Sequence, residues 1–94
     1  MTANTARDYT QQQLIKQHFL GTYTFEMSKG RGREPLFKIS VGFPSGRPSV
    51  IKITDAQGAE VIQFTESGDR SIALDGTYKL SVSGNPANVS IIEL

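Results

Sequence analysis

A chain of 94 residues with no cysteine, one histidine and a formal charge of +1 has the length of a single domain and excludes thiol catalysis, disulfide stapling and every cysteine-based metal centre. Nucleic-acid binders carry a marked basic excess because phosphate neutralisation dominates their affinity. Ten Lys and Arg against nine Asp and Glu supply none, so nucleic acid is not an expected partner. No apolar run approaches the ~20 residues that span a bilayer, and no membrane partner is expected. A core of this size removes only about 60–65% of the unfolded surface from water, so association with neighbours is the expected supplement to its stability.

Residues 1–20 read as a polar N-terminal arm. Met1–Thr10 contains no apolar stretch of the secretory type, so the protein is expected to stay in the producing cell or to leave it by assembly or lysis, as in a virion. Thr10-Gln11-Gln12-Gln13 has the Thr-x-x-Gln form of a capping box. It predicts a short helix over 11–18, with Leu14, Ile15, His18 and Phe19 forming an apolar face that continues to residue 19. Eight residues of helix are marginal alone, so the segment reads either as a frayed tail or as an ordered arm that lies on another surface.

From Gly21 to Leu94 the period is two. Tyr23, Phe25 and Met27 alternate with Thr22, Thr24 and Glu26; Phe37, Ile39, Val41 and Phe43 alternate with Lys38, Ser40 and Gly42. Ile51/Ile53, Ile62/Phe64 and Ile72/Leu74 form shorter pairs, and Tyr78, Leu80 and Val82 form a triplet. Val89-Ser-Ile-Ile-Glu-Leu94 alternates less cleanly and suggests burial on both faces near its end. Turn chemistry separates the segments. Lys29–Pro35 is rich in glycine and charge, Pro44–Ser49 holds two prolines, and Asp55-Ala-Gln-Gly58 fits a type I turn closed by a left-handed glycine. Ser67-Gly68-Asp69, Asp75-Gly76 and Gly84-Asn-Pro-Ala-Asn88 complete the set. Seven such segments predict one all-β domain over 21–94, an antiparallel sandwich or small barrel, with no proline inside a strand.

The residues offer little chemistry. His18 lies in the polar segment, away from any nucleophile in the sandwich. Asp55, Asp69 and Asp75 fall at turns, where side-chain to backbone hydrogen bonds account for them, and no Asp-x-Asp-x-Asp spacing supports calcium. Gly30-Arg31-Gly32 lacks the strand, helix and Gly-Lys-Ser/Thr end of a phosphate loop. No enzyme activity, metal or cofactor is expected. What remains is a basic loop, with Lys29, Arg31 and Arg33 on glycines that leave its backbone free to adapt to an acidic surface. Tyr23, Phe25 and Phe37 are in core register, which leaves Tyr9 as the main exposed aromatic.

The stretch Ile51–Ile62, with its Asp-x-x-Gly turn, resembles the hairpin of immunoglobulin-like modules. Asp75-Gly-Thr-Tyr-Lys-Leu-Ser-Val-Ser-Gly84 resembles the Gly-x-Tyr strand that closes such modules and bacterial prepeptidase-type C-terminal domains. The overall plan, a polar arm followed by a small sandwich, is similar to capsid decoration (cement) proteins of tailed phages. That resemblance implies a non-enzymatic structural protein, homo-oligomeric or bound to a symmetric assembly, whose partners are capsid or other assembly subunits. Arg7, Tyr9, Leu14, Ile15 and Phe19 would then anchor the arm, and Lys29, Arg31 and Arg33 would meet an acidic shell. The alternative is a ligand-binding sandwich module for carbohydrate or a protein partner.

Overall fold

A computed structural model describes residues 13–27 and 36–94. They form six strands: β1 Gln13–Met27, β2 Leu36–Gly42, β3 Val50–Asp55, β4 Glu60–Phe64, β5 Gly68–Ala73 and β6 Gly76–Glu93. All pairings are antiparallel. The order is β4-β3-β6-β2-β5, with β1 alongside β6, and the sheet curls into a half-barrel.

The register shows how the curl arises. β2 pairs with the C-terminal part of β6 (Phe37↔Glu93 to Gly42↔Asn88), and β3 follows it along the N-terminal part (Val50↔Ser83 to Asp55↔Tyr78). β4 and β5 do the same on the outer sides of β3 and β2, while β1 runs the length of β6 on its other side. Four long passes therefore lie side by side, and each bends in its middle. The bends fall at His18–Gly21 in β1, Gly84–Ala87 in β6, Phe43–Ser49 between β2 and β3, and Thr65–Ser67 between β4 and β5. They divide the sheet into a first half (β1 21–27, β6 76–83, β3, β4) and a second half (β1 13–19, β6 87–93, β2, β5). Leu74 and Asp75 alone join β5 to β6, so the far ends of the two halves lie close together. Leu74 is fully buried there. The core is held between the halves by Phe37, Ile39, Ile51, Ile53, Leu80 and Ile91, with Phe25 and Tyr78 packed ring against ring at 5.9 Å.

Several expectations are corrected. Residues 13–18 of the expected helix (11–18) are strand; residues 11 and 12 lie outside the described residues. Leu14 pairs with Ile91 on the core face, and its burial outweighs the weak preference of an eight-residue helix. The two last expected strands are one, β6, which carries Pro86 inside it. Proline is tolerated because Gly84, Asn85 and Pro86 stand between Ser83↔Val50 and Ala87↔Phe19 without a ladder partner of their own. Asn85 staples this corner, donating from Nδ2 to the Pro48 carbonyl at 2.9 Å and accepting at its own carbonyl from the buried Ser49 hydroxyl. Asp69 falls inside β5 instead of its turn. The end of β6 is not buried on both faces: Ile91 points in, and Ile92 and Leu94 point out. The Asp55 turn forms as expected. Asp55 Oδ1 accepts from the Gln57 and Ala59 amides at 2.9 Å, and Gly58 adopts φ 86°.

Candidate partner-binding surface

β1 is the strand the sequence explains least. Its ends are anchored by Leu14, Phe25 and Met27, yet Ile15 and Leu20 between them are more than half exposed. The reason is the bend. His18 takes φ 52°, a left-handed conformation uncommon for a residue with a Cβ, and Gly21 takes φ 124°. The ladder to β6 slips on either side of Phe19. The His18 amide, which has no partner in that ladder, donates instead to Asn88 Oδ1 at 2.7 Å. His18 thus acts as a corner residue, its side chain exposed.

Tyr23, expected in the core, is 37% exposed. It sits on the core face, but at the bend, where that face opens. Lys16 reaches across the corner, its Nζ 3.8 Å from the Tyr23 ring centroid and 5.7 Å from that of Phe19, and the two rings meet edge to face at 6.5 Å. This is a cation–π cluster of ordinary geometry. It covers the open side of the core and presents two aromatic edges beside the strand. Arg70 does the equivalent on the opposite rim, its guanidinium 5.3 Å from the Phe64 ring centroid.

Beyond the corner, β1 pairs with β6 alone among the described residues, so its other edge is open over Gln13–Met27. Alternate amides and carbonyls there point away from the sheet. The edges of β4 and β5 are shorter, five and six residues.

The two outward faces differ in chemistry. The first half presents Thr22, Thr24, Thr77, Lys79, Lys52 and Glu26. The second half presents Ile15, Ile92, Leu36 and Leu94 among small polar residues. Of the residues expected at a binding site, the structure places Leu14 in this chain's own core, Ile15 outward on the second half, and Phe19 half-buried at the corner. Arg7, Tyr9, Lys29, Arg31 and Arg33 lie outside the described residues. Sequence reasoning missed Tyr23, Ile92, Leu36 and Leu94. For Ile92 a signal existed, because adjacent Ile91 and Ile92 cannot both face the core of a regular strand. Among the described residues, no group of three or more acidic or histidine side chains is placed to hold a metal ion. Comparison with family models, with curated proteins and with solved structures finds no match to this chain.

Proposed function

We propose that this chain is a non-enzymatic structural protein of an assembly, a virion accessory protein of the capsid decoration type, that binds shell subunits along β1. The observation that carries this reading is the open edge of β1. Among the described residues β1 has no partner on this edge, and its two runs on either side of the bend form a template onto which a partner's extended segment adds by main-chain hydrogen bonds. The corner cluster of Lys16, Phe19 and Tyr23 flanks the edge and supplies side-chain contacts. Arg7, Tyr9, Lys29, Arg31 and Arg33, which lie outside the described residues, are the further contacts this reading assigns to an acidic partner.

The test is co-sedimentation of the purified protein with assembled shells from its source, where saturable binding is expected. Thr22 and Tyr23 have opposite orientations in the strand, so the amide of one faces β6 and that of the other faces outward. Of Thr22→Pro and Tyr23→Pro, the variant that removes the outward amide keeps the fold and loses binding. Equal binding by wild type and that variant overturns the reading.

A second reading, a carbohydrate-binding module, is favoured by the exposure of Tyr23 beside Phe19. It expects saturable glycan binding that Tyr23→Ala abolishes.

A further inference from the structure

The outward face of the second half is graded in size along its two central strands. On β2 the outward residues run Leu36, Lys38, Ser40, Gly42. On β6 the residues beside them run Leu94, Ile92, Ser90, Asn88. Both strands are bulky at one end of the face and small at the other. The bulky end is exposed: Leu36 is 39%, Ile92 40% and Leu94 59% accessible. At the small end lies an open hollow of about 340 Å³, lined by Ile15, Gln17, Ser40, Gly42, Asn88 and Ser90.

We infer that this face packs against the same face of a second copy. A two-fold axis in the plane of the interface, crossing the strands between the Lys38/Ile92 row and the Ser40/Ser90 row, turns one taper onto the other. Leu36 then lies over Gly42 of the second copy, Ile92 over Ser90, and Leu94 over Asn88. The same axis brings Ile15 beside Ile92 of the second copy. Lys38 comes over Ser40, one strand away from Asp69 of the second copy, because Asp69 pairs with Ser40 in the register. Bulk meets hollow and cation meets anion in one arrangement, with the sheets at the usual ~10 Å separation.

Gly42 gives an independent reason. Glycine weakens a strand interior, and its presence there marks a bulge, a bend or the close approach of something else. Gly42 has no left-handed φ, and a Cβ built on it meets nothing within 4 Å. Nothing among the described residues of the monomer requires a glycine at this position; Leu36 of a second copy does.

The face is four strands wide and about six residues long, or about 19 by 20 Å from strand spacing and rise. That plan area is roughly half of the ~800 Å² per partner of a standard interface, so the dimer is weak and concentration-dependent. Self-association is measured without shells, so its failure is separate from failure of the shell-binding reading.

The experiment is sedimentation equilibrium of the full chain from about 1 μM to about 1 mM, the range in which weak interfaces assemble. Wild type is expected to move from monomer to dimer mass. Gly42→Leu, whose Cβ meets nothing within 4 Å among the described residues, fills the hollow and is expected to raise the midpoint at least about tenfold. Lys38→Glu weakens the dimer, and adding Asp69→Lys restores it, a rescue that a merely structural role would not produce. Leu20→Lys, exposed but at the corner, leaves the midpoint unchanged. Circular dichroism confirms that each variant is folded. A wild type that stays monomeric throughout, a Gly42→Leu variant that dimerises as well as wild type, or charge reversal without rescue overturns the inference.

Discussion

Single residues here do two kinds of work, and only one kind is visible in sequence. Asp55 and Gly58 were legible because their task is local: a carboxylate accepts two amides within four residues, and a glycine takes φ 86°. Asp55→Ala is expected to cost about 1 kcal/mol, read as a fall of about 4–8 °C in the thermal midpoint for a domain of this size. His18 was not legible, because its left-handed backbone is imposed by a corner whose other parts are 70 residues away. His18→Val places a β-branched side chain at φ 52° and is expected to destabilise by about 1–2 kcal/mol, whereas His18→Gly relieves the strain and is near neutral. Urea unfolding of the two variants checks this ordering, and equal losses would show that the corner does not hold His18 in that conformation.

At the scale of elements, alternation touched part of every described strand. It missed the first half of β1, read as a helix, and the start of β5, read as a turn, and it did not show where two segments are one. Gly84–Asn88 has turn composition, and in isolation turn and corner look alike. The distinction lies in partners: Asn85 and Ser49 lock the corner to the facing loop, and Asn88 locks it to β1. Ser49→Ala leaves the part-buried Asn85 carbonyl without its donor and is expected to cost about 1–3 kcal/mol. Leu74 belongs to no strand, yet it closes the end where the halves meet and is fully buried. Leu74→Ala is expected to cost about 2–5 kcal/mol. In native-state hydrogen exchange it should loosen the amides near Leu36, Ala73 and Gly76 before those of the corner. Uniform loosening would mean that the halves are not separately closed.

For the whole molecule, the all-β class was legible because period two needs only a buried face and a wet one. The binding surface was less so. Edge position and outward exposure are properties of topology, and no local pattern in Gln13–Met27 says that β1 has one neighbour among the described residues. The structure also redraws the arm. Since residues 13–20 complete the sheet, a deletion that tests the arm must stop at Gln12; removing 1–20 also removes Leu14 and half of the β1 ladder. Deletion of 1–12 is expected to weaken shell binding, and unchanged binding would assign the contact to β1 alone. The open β1 edge itself is tested most directly by amide hydrogen exchange of Gly21–Met27, free and bound to shells. Outward-facing alternate amides should exchange fast in the free protein and become protected on binding, while their neighbours bonded to β6 change little. Binding with no gain of protection along Gly21–Met27 would contradict strand addition at β1.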